Sequence, residues 1–478
     1  MTNVLDALED RIQRVDLVEA IADVALGVTY AGLPQQVVDA AKIFVMDSLA
    51  VGVAGTTYSA TDRALAAAVA WGEGSSRVLG RPGISLSPTS AAFVNGMQIH
   101  ALEWDGLHDL SVVIALCAPL GAIVAEMDRQ TLSGEDLIVA VAVAVELAVF
   151  FGGDTSESPR FFRPSAAGGM GAAAAMALLR GFSREQFMHA LGLAHAQTAG
   201  TMQAHWEGSM ALPLQIGNAS RMAHFCVDLV EQGMTGPVDV IDGRFGYFKL
   251  FESGGDIERL IDGLGTPFKL TQMAHKPYPA GRATQAALTM LNQIRSEHRF
   301  DVADVQRIEV YVPPLIMLLV GRPASDDMTP SYARLCLKFI VPLMLLDGDI
   351  DPRRFEPAVF ADDEIRALGS RLQVLDDGNE DRNALGPQRM VIQLKDGRSL
   401  GAHCDAPLGA PEYPLTKQQR EDKVRRCFEL GHGSHDVERF IVLSNDLENV
   451  NDSRALLDLL CGTSAQDSAS RSARTTTT

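Results

Sequence analysis

Apolar positions in this chain recur at helical spacing from Leu17 to about Gly265 and then change period. In "PQQVVDAAKIFVMDSLAVGVAG", Val37, Val38, Ala41, Phe44, Val45 and Leu49 fall near one face, the signature of a helix packed on one side. "SGEDLIVAVAVAVELAVFFGG" opens with Ser133 and Asp136 at capping-box spacing and stops at Gly152-Gly153. "GAAAAMALL" has no polar face, which predicts a helix enclosed by others, its small side chains letting axes approach. The glycines of "GGMG", Gly168 to Gly171, suit the same packing. No strand precedes them and their spacing is not GxGxxG, which argues against a dinucleotide site.

After "KPYPAGR" the pattern shifts. "VQRIEVYVPPL" alternates as a strand, and "QRMVIQLKDGRSLGAHC" reads as two strands around a Lys-Asp-Gly turn. "SYARLCLKFIVPLMLLDG" between them reads as a helix, as do "TKQQREDKVRRCFELG" and "SRALLDLLCG" near the end. The fold class predicted is mainly α. A large helical domain over residues 1–268 is interrupted by a smaller α+β lid domain over 269–404 and completed by 405–462. The polar, low-complexity tail 463–478 is predicted to be disordered. A cleft between two such domains is a favoured place for a ligand.

With 478 residues, 47% of them apolar, the chain can bury a large core. Its 60 acids against 41 bases give a net charge of -19, which lacks the basic footprint of a nucleic-acid binder and would be repelled by anionic membranes. The longest apolar run, Leu137 to Phe151, is interrupted by Glu146 and too short to span a bilayer. The six cysteines are dispersed and form no CxxC pair, and the N-terminus lacks a basic-then-apolar signal pattern. The protein is therefore expected to be soluble, reduced and cytoplasmic.

One stretch breaks the apolar pattern. "HALEWDGLHD", His100 to Asp109, packs two histidines, three acids and a tryptophan into ten residues. Glu103 and Asp105, flanking Trp104, are candidate acid–base groups. An apolar pocket would raise the Glu103 pKa and fit it for proton abstraction. If a helix runs into the segment, His100 and Glu103 share a face and Gly106 breaks it. His108 is a second candidate proton carrier, whereas His100 reads as a hydrogen-bonded core residue. The bland alternative is a capped or ion-paired loop. No metal is expected: His100 and His108 are eight apart, and His432 and His435 form an HxxH with only Asp436 beside it. Arg163, Lys276 and Arg282 are the candidate cations for a carboxylate, Arg163 through its planar fork, with surface or interdomain ion pairs as the plain reading. Tyr278 could donate a proton or simply pack. His205 and Trp206 run directly into "EGSMALPLQIG" and are candidate pocket residues, although packing also accounts for the tryptophan.

Five strings occur in order: "LPQQVVDAAKIFVMDSLAVGVAG", "SAAFVNGMQIHALEWDGLHD", "PSAAGGMGAAAAMALLRGFS", "EGSMALPLQIGNASR" and "KPYPAGRATQAAL". Together they resemble the MmgE/PrpD family, from about Leu17 to Gly462. The resemblance implies a homodimer and cofactor-free chemistry at the domain cleft, moving protons or breaking bonds beside the carboxylates of small polyacids. It also shows departures. The family's H-A-L-D-F-D-D-T-H here has Glu103 for the first Asp, Gly106 for a later Asp and Leu107 for the Thr, and the histidine of the following H-P-S falls on Ile114. Arg163 replaces the histidine of G-x-H-P-T. Leu212 and Gln215 replace the lysine and histidine of G-S-M-x-K-x-L-H-x-G. A histidine is missing at or beside Gln285, and a lid tyrosine reads Phe339.

Losing these groups while gaining leucine and isoleucine implies a less cationic, more apolar pocket, which would desolvate a doubly or triply charged acid with too few partners. The expectation is a lyase or isomerase/epimerase, free of cofactor, acting by proton transfer on a small or medium organic acid. Glu103, His108, Asp105 and Tyr278 would serve the chemistry. Arg163, Lys276, Arg282, Gln285, His205, Trp206, Leu107 and Leu212 would surround the ligand. The alternative is a non-catalytic or regulatory binding homologue.

Overall fold

The computed structural model describes residues 17–153, 161–252, 256–381, 384–431 and 436–462. The predicted disordered tail, residues 1–16 of the acidic N-terminus and the His432/His435 pair lie outside the described residues.

The molecule is mainly α. In α1 (Gln35–Ala54) the predicted face is buried, and from Met46 to Ala54 the helix is buried all round. Then follow α2 (Pro88–His100), α3 (Cys117–Glu126), α4 (Gly134–Gly152), α5 (Arg163–Leu179) and α6 (Ala211–Glu231). At the start of α4 the Ser133 hydroxyl accepts from the Asp136 N–H while the Asp136 carboxylate accepts from the Ser133 N–H. Gly153, at φ 68°, ends the helix. Helices α2, α3, α5 and α6 pack on one another, and α5 also lies along α4. A Cβ at Gly171 would stand 2.3 Å from the Ala144 carbonyl oxygen, so only glycine allows that approach. No helix among the described residues is long and apolar enough to cross a membrane.

This region is not purely helical. β1 (Glu73–Arg77) pairs with β2 (Ser85–Leu86), and β3 (Leu107–His108) pairs with β4 (Met273–Ala274), both antiparallel. Further on, α7 (Gln285–Glu297) packs across a four-stranded sheet of β5 (Val305–Val312), β6 (Leu372–Asp376), β7 (Gln388–Leu394) and β8 (Ser399–Cys404). The strand order is β6-β5-β7-β8, with β5 and β6 parallel and the other pairs antiparallel. Burial alternates along β7 and β8, as strands covered on one face require. The segment read as one helix, "SYARLCLKFIVPLMLLDG", is two pieces, Pro330–Ala333 and α8 (Leu337–Asp347). Between them the Arg334 carbonyl turns away to accept from the Gly281 N–H at 3.1 Å. Finally α9 (Lys417–Leu430) returns to pack on α1.

Candidate active site

The ten-residue stretch begins at the end of α2. The helix stops at His100, and Glu103 takes φ 54°, a left-handed conformation that costs a non-glycine residue of order 1 kcal/mol. Leu107 then pairs opposite Ala274 and His108 opposite Met273. This two-residue ribbon sets Lys276 beside Glu103 from 173 positions away, with Nζ 3.1 Å from Oε2. The same Nζ is 3.4 Å from Asp105 Oδ1. His100 closes the group, its Nδ1 3.0 Å from Asp105 Oδ2 and its Nε2 3.2 Å from Glu103 Oε1. Trp104, buried behind, donates to the Pro277 carbonyl at 3.0 Å, while its own carbonyl accepts from Lys423 at 2.8 Å. Gly106 does not break a helix, because none continues there. It is required because a Cβ would lie 2.9 Å from the Phe44 ring.

All four charges are buried. Burial alone would raise the Glu103 carboxyl, but His100 and Lys276 outweigh it and hold it well below the usual range. This reverses the expectation of a raised Glu103, which assumed apolar surroundings on every side. Asp105 is held low against burial in the same way. Burial disfavours charge on His100, yet Asp105 and Glu103 push it up to about 10. Lys276 is likewise raised by Glu103 and Asp105 against burial. Two cations meet two anions and their formal charges cancel.

Glu103 and Lys276 open onto a cavity of about 90 Å³ with an apolar wall that includes Leu107, Val112, Ile114, Phe162 and Leu319. Val112 is itself left-handed at φ 53°, rare for a β-branched residue. Arg163, His205 and Arg282 also border the cavity. Burial, then Arg322, bring His205 down to about 4, so it is a neutral imidazole at neutral pH. Arg163 lies 2.7 Å from Glu252, and Arg282 lies 2.6 Å from Asp109. Each of the three predicted cations thus holds a carboxylate of the protein.

His108 faces elsewhere. It lines an outer cleft of about 950 Å³ with Asp109, Ser111, Lys269 and Gln272, and Arg282 borders both spaces. Its Nδ1 accepts from the Ser111 N–H at 3.3 Å, and its Nε2–H donates to Gln272 Oε1 at 3.1 Å. Burial lowers its pKa. Five further candidates do not border the inner cavity. Asp105 is sealed behind His100, and the Tyr278 hydroxyl is bonded to Asn292 and pushed up to about 12 by burial. Gln285 donates to the Tyr278 and Ala280 carbonyls, holding the "KPYPA" turn, and Leu212 is buried in α6. Trp206 is 58% exposed, since in the short helix Gln203–Glu207 it sits about 100° round from His205. Two basic residues near the site escaped sequence reading. Arg322 hydrogen-bonds the His205 carbonyl at 3.2 Å, and Arg334 is buried between two rings. The signal for Arg334 was a basic residue set in an apolar run.

His100, Asp105 and Cys117 present ligand atoms within 4.8 Å of one another, the spacing of a small metal site. Lys276 already supplies a cation to Asp105, and burial pushes the Cys117 thiol well above its ordinary value, so the set favours a proton over a metal.

Two family models match the chain, the MmgE/PrpD N-terminal domain over residues 19–260 and the MmgE/PrpD C-terminal domain over residues 278–449. The cis-aconitate decarboxylase of Homo sapiens is 28% identical over 481 residues, covering 95% of this chain and 97% of the relative. That of Mus musculus is 28% identical over 473 residues, covering 95% of each. The cis-aconitate decarboxylase-like protein oryM of Aspergillus oryzae is 25% identical over 465 residues, covering 90% of this chain and 94% of the relative.

Proposed function

Because the chain belongs to the MmgE/PrpD family, we propose that it is a cofactor-independent lyase or isomerase that moves a proton on a small or medium organic acid. One observation carries the reading: Glu103 and Lys276, 3.1 Å apart, border a small cavity whose walls are mostly apolar. Glu103 is held ionised and Lys276 holds a proton, but their pairing weakens one as a base and the other as an acid, so the substrate must part them for the transfer. Glu103 takes a proton from the carbon next to a substrate carboxylate, and the same proton is returned at that carbon or a neighbouring one. In a decarboxylation the bond to CO₂ breaks, its electron pair stays on carbon, and Lys276 supplies the proton. The relatives named as cis-aconitate decarboxylases support this second course. Cancelled charges, Leu107 and Ile114 support a substrate with less charge and more apolar surface than a tricarboxylate.

The proposal includes a two-part molecule, residues 1–268 with 405–462 around a lid of 269–404, acting as a cytoplasmic homodimer. A panel of mono-, di- and tricarboxylic acids, assayed for CO₂ release, hydration and solvent-deuterium exchange, tests it. Turnover of a mono- or dicarboxylate that falls at least about a hundredfold in Glu103→Gln is expected. Brisk dehydration of 2-methylcitrate, or turnover that survives the substitution, overturns it. A second reading, a homologue that binds without turnover, is favoured by one observation: Arg163, Lys276 and Arg282 each already hold a protein carboxylate. Binding across the same panel with no reaction would select it.

A further inference from the structure

Among the described residues four lysines and arginines are buried as whole residues: Arg163, Lys276, Arg334 and Lys423. Three sit on carboxylates, Arg163 on Glu252 at 2.7 Å, Lys276 on Glu103 at 3.1 Å and Lys423 on Asp47 at 2.8 Å. Arg334 does not. Its guanidinium lies between the rings of Tyr58 and Phe355, 5.1 and 4.7 Å from their centroids. Its Nε and Nη1 are shut off from solvent with no hydrogen-bond partner. Ring faces ease the positive charge, but the guanidinium edge still presents N–H donors that need an acceptor. The adjoining polar groups repeat the imbalance. The buried Ser331 and Tyr58 hydroxyls share one hydrogen bond at 3.0 Å, so one of their two protons still needs an acceptor. A buried cation beside surplus donors is an arrangement that an anion completes.

Arg334, Tyr58 and Ser331 do not themselves line the inner cavity but stand directly behind its wall. Leu335 and Gly281 both border it, and Gly281 donates its N–H to the Arg334 carbonyl at 3.1 Å. Glu103 is near enough for its charge to act on Arg334. We infer that Arg334, with the Tyr58 and Ser331 hydroxyls, is the receptor for one carboxylate of the ligand. It is the specificity-determining cation that Arg163, Lys276 and Arg282 are not, because those three are already matched within the protein. The inference rests on the organic-acid reading above and narrows it to acids with one carboxylate at this end and hydrocarbon against the apolar wall.

Titration calorimetry with crotonate and its uncharged analogue crotonamide tests this on the full chain, in wild type, Arg334→Met and Arg334→Lys, alongside ligand-free melting temperatures. Wild type is expected to prefer crotonate by roughly tenfold to a hundredfold, the range of a hydrogen bond to a charged group. Arg334→Met should lose that preference with no fall in its ligand-free melting temperature, and Arg334→Lys, which keeps the charge without the fork, should keep part of it. A wild type without the preference, or an Arg334→Met that retains it, overturns the inference. So does a lowered melting temperature with binding unchanged, which would make Arg334 a clamp between the two rings. Should Arg334→Met fail to fold, an undiminished preference in Arg334→Lys overturns the inference and a diminished one upholds it. The readout is binding. Absent turnover therefore sinks the proposed reaction alone, and a preference independent of Arg334 sinks this inference alone.

Discussion

One ten-residue stretch furnishes two environments of similar composition. Its first half, His100 to Asp105, is sealed around Lys276, while His108 and Asp109 line the open outer cleft with Gln272 and Arg282. The difference is water. In the sealed half the charges meet at low dielectric, so each strongly sets the protonation of the next. In the open half Asp109 keeps 23% of its side chain in solvent, which screens its pairing with Arg282. Residue type alone treats His100 and His108 alike. Two carboxylates make His100 an imidazolium against its burial, whereas burial leaves His108 a neutral ring saturated by Ser111 and Gln272.

The largest effect should come from Lys276→Met, which leaves Glu103 and Asp105 with a single cation. A loss of about 3–5 kcal/mol in urea unfolding is expected, as for other broken buried ion pairs. A loss below about 1 kcal/mol would erase the contrast between the halves. Next comes Glu103→Gln, with turnover down at least about a hundredfold in kcat/KM, against less than about tenfold for His108→Gln. Equal losses in the two variants would reassign the chemistry to the outer cleft.

The contrast sharpens with pH. The His100 value is raised from its ordinary 6.5 to about 10, so its stabilisation is complete below pH 6.5 and is lost as pH climbs through about 10. Glu103 is lowered from its ordinary 4.5, so its share is complete above pH 4.5 and is lost in acid. The quartet should therefore stabilise most between pH 4.5 and 6.5. The gap in urea midpoint between wild type and His100→Gln should shrink from pH 6.5 towards 10, and a constant gap would contradict the assignment. The smallest effect belongs to the open half: Asp109→Asn should change stability by no more than about 1 kcal/mol, and by less at high salt.

Much of the scaffold was legible in the sequence because it rests on local rules. Periodicity placed α1, α4 and α9, the Ser133 box marked where α4 starts, and alternation exposed β5, β7 and β8. The parallel strand β6 was missed, since five residues after a short helix carry too little period of their own. Less of the candidate site was legible. The meeting of Glu103 with Lys276 depends on a two-residue pairing between distant segments, which no local pattern announces. Arg163 and Arg282 were picked out as cations, but the partners that neutralise them, Glu252 and Asp109, are set by tertiary contact. Arg334 lay inside what read as one helix, and its isolation is visible only against the three other buried cations.

The β3–β4 ribbon has only two residue pairs, Leu107 with Ala274 and His108 with Met273, and it alternates sides at every residue. Sliding one strand by a single position would carry Glu103 and Lys276 about 3.4 Å past one another and part the ion pair. New reactivity in this scaffold is thus open to exchange of side chains, letter for letter, and closed to insertion or deletion between residues 101 and 108.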